Sequence, residues 1–191
     1  VSDFYTADMV TNSNEGLALV APKIQPVLDP AFRPAVLANR EFRRAAAATQ
    51  NAPVVTLALE QTDGNVSHFS SPVFPQSDPR STGNVRYIER ISRFLLWSRG
   101  GYRIHVAGPE SIARALDAYY KTTKTGKFDA ETVGERMFDN AIQVVHSKTP
   151  PPEKRSAAAL GRHLEGCRIG FDLGGSDRKV AAVVDGKVVF S

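Results

Sequence analysis

The sequence predicts an α/β protein in two parts, a small mixed-sheet α/β module followed by a β-meander of three strands. Segments typical of strands and helices alternate between residues 31 and 147, which predicts the module. Three consecutive prolines, Pro150 to Pro152, then separate this module from the rest of the chain. Beyond them, residues 169–191 contain three apolar runs separated by two glycine-containing turns, which predicts the meander.

The composition is that of a globular protein and excludes several classes of site. The chain has 191 residues, of which 42% are hydrophobic and 23% charged, so it can bury a core without metals or disulfides. The single cysteine, Cys167, excludes an internal disulfide and a multi-cysteine zinc site. The formal net charge of +4 attracts anionic ligands but is low for a dedicated nucleic-acid binder, so a nucleic-acid partner is not expected.

Localisation is predicted from the absence of membrane and export signals. No apolar run approaches the roughly 20 residues that span a bilayer. Residues 1–11 carry acids where a signal peptide has Lys or Arg, and they lack an apolar run. We therefore expect a cytoplasmic protein that has no membrane partner.

Proline and glycine positions predict four segments. Residues 1–30 form an irregular N-terminal arm, because Pro22, Pro26 and Pro30 prevent a helix there. The remaining segments are an α/β module at residues 31–147, a stiff, solvated Pro-rich linker at 148–159, and the start of a second domain at 160–191.

The module is predicted to contain a first helix at Pro34–Thr49 and then about four strands and three helices. Val36, Leu37 and Phe42 give the first helix a partial apolar stripe. An Asp63-Gly64 turn between two β-branched runs predicts a hairpin. The predicted elements in chain order are strands at Val54–Leu59 and Val66–Ser70, a helix from Asn84 to Ser98, a strand at Tyr102–Ala107, a helix at Glu110–Tyr120, a polar loop at Thr122–Lys127, a helix at Phe128–Asp139 and a strand at Ala141–His146.

The helix that begins at Asn84 is predicted to be amphipathic, with Asn84 as its N-cap. Its predicted buried face consists of Ile88, Ile91, Leu95, Phe94 and Trp97. Arg86, Arg90 and Arg93 fall on the opposite face. A solvated surface is the simpler interpretation of this arginine face, and contact with a partner is the alternative.

The turn between the first two strands of the meander carries the residues with chemical potential. Gly174 and Gly175 let the backbone approach a ligand closely, and their N–H groups can form an anion-binding concavity together with Ser176. Asp172 precedes the glycines, and a carboxylate beside a phosphate requires a cation such as Mg²⁺ between them. Lys179 supplies a positive charge for phosphates. The pattern therefore predicts a Mg²⁺-nucleotide site.

The segment Ile169-Gly-Phe-Asp-Leu-Gly-Gly-Ser-Asp-Arg-Lys179 resembles the first phosphate motif of the actin, Hsp70 and hexokinase superfamily, and most closely that of the ROK (repressor, ORF, kinase) sugar kinases and regulators. The resemblance covers about 25 residues and implies the first β-meander of an actin-like (ribonuclease H-like) ATPase lobe. It implies ATP and Mg²⁺ as cofactors and a hexose as substrate. By the same resemblance, Asp172 lies near the metal, Gly174, Gly175 and Ser176 near the β- and γ-phosphates, and Lys179 at a basic position.

The resemblance also implies an incomplete active site. The family's catalytic base, second phosphate loop and adenosine motif follow this segment, so we expect them in sequence beyond Ser191 and expect the present chain to bind ATP weakly at most. One departure from the family is Asp177, which stands where ROK kinases usually have Lys. The oligomeric state is left open.

Three alternatives to a kinase remain at this point. An ordinary β-meander with a tight turn explains the glycines without any ligand. A non-catalytic sensor of sugars or nucleotides on the same scaffold would suit Asp177. The N-terminal module could instead be a protein-interaction domain that docks through its arginine-bearing helices.

Overall fold

The computed structural model describes residues 17–155 and 165–191, and the chain divides into two compact units between Arg155 and Ser156. The first unit is a mixed α/β structure and the second is a three-stranded antiparallel sheet, so the predicted α/β class is confirmed at this level. The first unit consists of α1 (Ala35–Ala47), β1 (Val54–Glu60), β2 (Val66–Pro72), a short 3-10 turn (Pro79–Thr82), α2 (Gly83–Arg99), β3 (Arg103–Ala107), α3 (Glu110–Thr122), α4 (Lys124–Asp129), a π-helix (Ala130–Met137) and β4 (Gln143–His146).

The sheet of the first unit has the strand order β2-β1-β3-β4. Strands β1 and β2 form the predicted hairpin, in which Leu57 pairs with Phe69. Its turn is stabilised by the Asp63 carboxylate, which accepts a 3.0 Å hydrogen bond from the backbone N–H of Asn65, and Gly64 adopts the positive φ of 76° that the turn requires. Strand β3 is antiparallel to β1, whereas β4 is parallel to β3, so the sheet is mixed as predicted.

The core of the first unit lies between one face of this sheet and the helices. Alternate residues of the central strands point into it, as expected for a sheet with one covered face. Each fully buried aliphatic side chain contributes about 1.5–3 kcal/mol by its removal from water. The buried residues of this layer include Val55, Leu57, Leu59, Ile104 and Val106 from the strands and Tyr87, Ile88, Ile91, Leu95, Ile112 and Leu116 from the helices.

Asn84 was predicted to cap α2, and this prediction is wrong. The helix begins one residue earlier at Gly83, and Asn84 is buried within its first turn. The side-chain oxygen of Asn84 accepts a 2.9 Å hydrogen bond from the N–H of Phe74, and its side-chain nitrogen donates a 2.8 Å bond to the Phe74 carbonyl. Asn84 therefore satisfies the backbone of the preceding loop, which would otherwise be buried without partners.

The predicted apolar faces of the first two long helices are partly wrong. Phe94 and Trp97 were assigned to the buried face of α2, but both are exposed. Successive helix residues are rotated by about 100°, which places Phe94 on the flank of the buried face and Trp97 on the opposite side of the helix. In α1, Val36 is also exposed. The buried face of α1 consists of Ala38, Phe42 and Ala46, spaced four residues apart.

Residues Thr122–Lys127 were predicted to form a polar loop, but α4 begins within them at Lys124. The Thr123 hydroxyl caps this helix by accepting a 3.0 Å hydrogen bond from the N–H of Gly126. Gly126 also permits a close approach to α3, because a Cβ atom there would lie 2.2 Å from the Tyr119 carbonyl oxygen. The helix predicted at Phe128–Asp139 is present as the end of α4 and the π-helix.

The described part of the Pro-rich segment is largely exposed, and it also pairs with β2 through Lys154. Val66 and Lys154 exchange two backbone hydrogen bonds, of 2.8 and 3.1 Å. The His68 Nε2 atom lies 2.6 Å from the carbonyl oxygen of Pro151. Residues 148–155 therefore continue the first unit, while residues 156–159 of the predicted linker and residues 1–16 of the predicted arm lie outside the described part of the chain.

The second unit consists of β5 (Cys167–Leu173), β6 (Arg178–Val184) and β7 (Lys187–Phe190) in the order β5-β6-β7. Asp185 and Gly186 form the predicted tight turn between β6 and β7, with φ angles of 47° and 79°. In β6, Val180 and Val184 are exposed and the residues between them are half-buried. Across residues 17–155 and 165–191, no helix combines the length and apolarity needed to cross a membrane.

Candidate phosphate-binding turn

The turn between β5 and β6 brings an acid and a base into register. Asp172 pairs with Lys179 across the two strands, so both side chains lie on the same face of the hairpin. The Lys179 Nζ atom is 3.9 Å from Oδ2 of Asp172 and 3.3 Å from Oδ2 of Asp177. The ammonium group is therefore shared by the carboxylate that ends β5 and the carboxylate within the turn.

The two glycines of the turn have different steric requirements. A Cβ atom at Gly174 would lie 2.8 Å from Oδ1 of Asp177 and 3.1 Å from its carbonyl oxygen, so this position is restricted by the turn itself. A Cβ atom at Gly175 would meet no atom within 4 Å. The fold of the turn therefore explains Gly174, whereas Gly175 leaves open space through which a ligand can approach the backbone.

The charges at this end of the hairpin are balanced and exposed. The side chains of Asp172 and Lys179 are 69% and 68% exposed, and Asp177 and Arg178 are exposed as well. Exposed ion pairs contribute at most about 1 kcal/mol, so Lys179 can change partners at small cost. The ammonium already occupies a position where a cation is favoured, and the carboxylate oxygens beside it suit Mg²⁺ chemically.

All five residues that the sequence assigns to the site lie within this one hairpin. They are Asp172 on β5, Gly174, Gly175 and Ser176 in the turn, and Lys179 on β6. The sequence analysis noted Asp177 as a departure from the family but missed its contact with Lys179. The length of the turn could have revealed this contact. Residues 174–177 form a four-residue turn, so residue 177 lies next to the first strand pairs, Leu173 with Arg178 and Asp172 with Lys179. Within the described residues, no group of three or more His, Cys, Asp or Glu side chains is arranged to hold a metal ion.

A second polar cluster, which the sequence analysis did not identify, lies on the sheet of the first unit. His105 Nε2 is 2.9 Å from Oε2 of Glu60, and Arg103 Nη1 is 3.1 Å from both carboxylate oxygens. The bond to His105, followed by that to Arg103, holds the pKa of Glu60 below its usual value. These residues neutralise one another across adjacent strands, so the cluster has a structural explanation.

The resemblance to sugar kinases stays a prediction. The strands on either side of the glycines are paired, and Asp172 lies beside the turn. The comparison of the whole chain with protein-family models, curated proteins and solved structures finds no match.

Proposed function

We propose that the β5–β6 turn is the first phosphate loop of an ATP-dependent sugar kinase of the ROK type, which transfers the γ-phosphate of ATP to a hexose hydroxyl. The observation that carries this proposal is the pairing of Asp172 with Lys179 directly beside Gly174 and Gly175. This arrangement provides a carboxylate, an ammonium group and open backbone within one turn. Those are the groups that a Mg²⁺-nucleotide needs.

Each residue has a distinct role in this proposal. The N–H groups of Gly174, Gly175 and Ser176 donate to phosphate oxygens, and Gly175 leaves room for their approach. Asp172 holds Mg²⁺ directly or through water, and the bound ion offsets the negative charge of the phosphates. Lys179 leaves its two carboxylates and pairs with a phosphate. These residues bind and position the nucleotide, and none of them accepts the proton of the sugar hydroxyl.

The exposed apolar face of the second unit supports its assignment to a larger lobe. Alternate residues of β5, namely Ile169, Phe171 and Leu173, are exposed on one face. Phe190 on β7 pairs with Ala182 on β6, which in turn pairs with Ile169, so Phe190 lies on the same exposed face. A three-stranded sheet needs a second layer on such a face to be stable. In an actin-like lobe, that layer would be formed by helices.

A non-catalytic sensor on the same scaffold is the second candidate. It is favoured by the 3.3 Å contact between Lys179 and Asp177, which neutralises the ammonium group. An acid at residue 177 also repels phosphate at the position where the kinases of this family usually have a base. A sensor would retain ligand binding and lack transfer.

Calorimetry on the full gene product that carries this segment separates these functions. If the protein is a kinase, we expect continuous heat from the turnover of Mg-ATP that depends on the presence of a hexose. A sensor predicts a saturable binding isotherm for Mg-ATP or a hexose and no turnover. If the gene product shows neither turnover heat nor a binding isotherm at millimolar Mg-ATP and hexose, both candidate functions are wrong and the turn has only a structural role.

A further inference from the structure

We propose that exposed aromatic and cationic side chains of α2 and α4 form a docking surface for an acidic segment of another protein, anchored by apolar side chains. This aromatic surface is defined by Phe94, Trp97 and Phe128, with Arg90 and Lys124 beside them. It belongs to the first unit and involves no nucleotide, so it does not depend on the function proposed for the hairpin.

The three aromatic side chains are large and unusually exposed. Phe94 is 67% exposed, Trp97 45% and Phe128 54%. Phe94 and Trp97 are three residues apart on α2 and so lie on one face of the helix. The rings of Trp97 and Phe128 are stacked with centroids 6.2 Å apart, which joins α2 to α4. Aromatic residues and arginine are enriched at the centres of protein interfaces.

The side chain of Trp97 is fixed by a hydrogen bond to a buried acid. Its indole N–H donates a 2.9 Å hydrogen bond to Oδ1 of Asp129, which is completely buried. Arg93 Nε lies 2.8 Å from the other oxygen of Asp129, in an ion pair rather than in hydrogen-bond geometry. A buried carboxylate is costly, and here both of its contacts go to side chains that reach the surface. The exposed indole is therefore fixed before any partner binds, which lowers the entropy cost of binding.

The charge around these rings is positive and favours an acidic partner. The nearby acids are each paired with an arginine. Glu89 pairs with Arg86 at 2.5 Å and Asp129 pairs with Arg93. The exposed Glu131 pairs with Arg136. Arg90 is half-buried, and it makes no ion pair with any residue of the described ranges. Burial and the adjacent Arg86 lower the pKa of Arg90, whereas the neighbouring Glu89 acts in the opposite direction.

The cations are in register with the aromatic rings. Arg90 precedes Phe94 by four residues on α2, and Lys124 precedes Phe128 by four residues on α4. Each cation thus lies one helical turn from an exposed ring. The part of this surface on α2, from Arg90 to Trp97, extends about 10 Å along the helix, which matches about two turns of a partner helix. An amphipathic acidic helix has both required features, apolar anchors and carboxylates at helical spacing.

A single-stranded nucleic acid is the competing occupant, since it also combines negative charge with flat apolar groups. Stacking of bases requires free ring faces. Trp97 and Phe128 cover one ring face of each other. The net charge of +4 over the whole chain is also low for nucleic-acid binding. The surface therefore favours an acidic polypeptide.

The test uses the fluorescence of Trp97, which is the single tryptophan of the chain. The full chain is titrated with a synthetic helical peptide that carries leucine at every third or fourth position and glutamate elsewhere. A second peptide has lysine in place of every glutamate, and a single-stranded oligothymidine serves as the nucleic-acid probe. We expect a saturable change in Trp97 emission with the glutamate peptide at micromolar concentration and no saturable change with the other two probes.

Two variants show whether the binding uses this surface. Arg90→Glu reverses the charge of a side chain without an ion-pair partner, and we expect it to lower the affinity for the glutamate peptide at least about tenfold. Phe94→Ala removes an exposed ring and is expected to have an effect of similar size. The matched control is Arg114→Glu on α3, an exposed arginine outside the surface, which should leave the affinity unchanged. Melting curves confirm that each variant is folded.

The proposal is overturned by any of three results. The first is the absence of a saturable signal with the glutamate peptide. The second is equal binding of the glutamate and lysine peptides, or tighter binding of oligothymidine. The third is equal affinity in Arg90→Glu, Phe94→Ala and Arg114→Glu.

Discussion

Asp172 and Lys179 face each other across the β5–β6 hairpin, with 3.9 Å between the carboxylate Oδ2 and the ammonium Nζ, and Asp177 approaches the same ammonium at 3.3 Å. One cation is thus placed between two acids at the end of the hairpin where Gly175 leaves the backbone open. If the turn binds a phosphate, the two acids must have opposite effects. Asp172 would assist through Mg²⁺, whereas Asp177 would compete for Lys179.

Replacing each acid separately is expected to reveal these opposite effects. Asp177→Asn should tighten the binding of Mg-ATP to the full gene product by up to about fivefold, since an exposed ion pair contributes at most about 1 kcal/mol. Asp172→Asn should weaken Mg-ATP and remove the dependence of affinity on Mg²⁺. Calorimetric titrations with and without Mg²⁺ measure both. Parallel effects of the two variants would show that the acids act only through net charge.

Two glutamates of the first unit are expected to give the stability opposite dependences on pH. The pKa of Glu60 is lowered by its bonds to His105 and Arg103, whereas burial raises the pKa of Glu89 despite its pairing with Arg86. For Glu60, the stabilisation is present above the unfolded-state pKa of about 4.3 and is lost as the pH falls through the lower folded-state value. For Glu89, the free energy of unfolding decreases as the pH rises from about 4.3 through the higher folded-state pKa.

The variants Glu60→Gln and Glu89→Gln separate these contributions. Glu60→Gln should lower the free energy of unfolding at neutral pH by about 1–2 kcal/mol, because charged hydrogen bonds are lost. It should also reduce the fall in the free energy of unfolding that occurs as the pH is lowered. Glu89→Gln should remove the decrease in the free energy of unfolding that accompanies ionisation of Glu89 as the pH rises. Denaturant unfolding at a series of pH values measures both. The pKa directions would be wrong if the two variants changed the pH profile in the same sense.

Asp129 is expected to be important for the stability of the first unit. Asp129→Ala leaves the Trp97 indole N–H without its acceptor and Arg93 without its counter-ion, so we expect a loss of about 2 kcal/mol. Arg93 is partly exposed and can turn to water, which limits the loss. The control is Asp117→Ala, which breaks an exposed pair with Lys121 and should cost less than about 0.5 kcal/mol. Equal losses in urea unfolding would contradict this role of Asp129.

Gly126 provides a test in which helix propensity and packing act in opposite directions. Alanine is favoured over glycine in a helix by about 1 kcal/mol. At residue 126, however, the added Cβ would lie 2.2 Å from the Tyr119 carbonyl oxygen, so α4 would have to move away from α3. We expect Gly126→Ala to lower the stability by about 2 kcal/mol in thermal unfolding. A rise in the melting temperature would show that α4 does not pack against α3 in this way.

The parts of the fold that were predicted correctly are those encoded by short sequence signals. The Asp63-Gly64 turn between two β-branched runs identified the β1–β2 hairpin. Asp185-Gly186 likewise identified the β6–β7 turn. In each case the backbone conformation itself requires glycine or a small polar residue, so the signal is local.

The incorrect predictions concern residues whose roles depend on distant parts of the chain. Asn84 looks like a helix cap in sequence, but its partner is the backbone of Phe74 in the loop that precedes α2. Phe94 and Trp97 look like core residues but are exposed, and the hydrogen bond between Trp97 and Asp129 joins two helices that the sequence does not place together. The residues assigned to the candidate site lie close together, because all of them belong to one hairpin and the register of a hairpin follows from its turn.

The central claim is that the backbone of the Gly174–Ser176 turn holds a nucleotide phosphate, and the most direct test is the Mg-ATP affinity of Gly175→Ala in the full gene product. A Cβ at residue 175 meets no atom within 4 Å, and the same holds for Gly170 on β5, which provides a matched control. We predict that Gly175→Ala weakens Mg-ATP at least about tenfold with an unchanged melting temperature, while Gly170→Ala binds as the unmodified protein does. Equal Mg-ATP affinities in the two variants and the unmodified protein would contradict the claim.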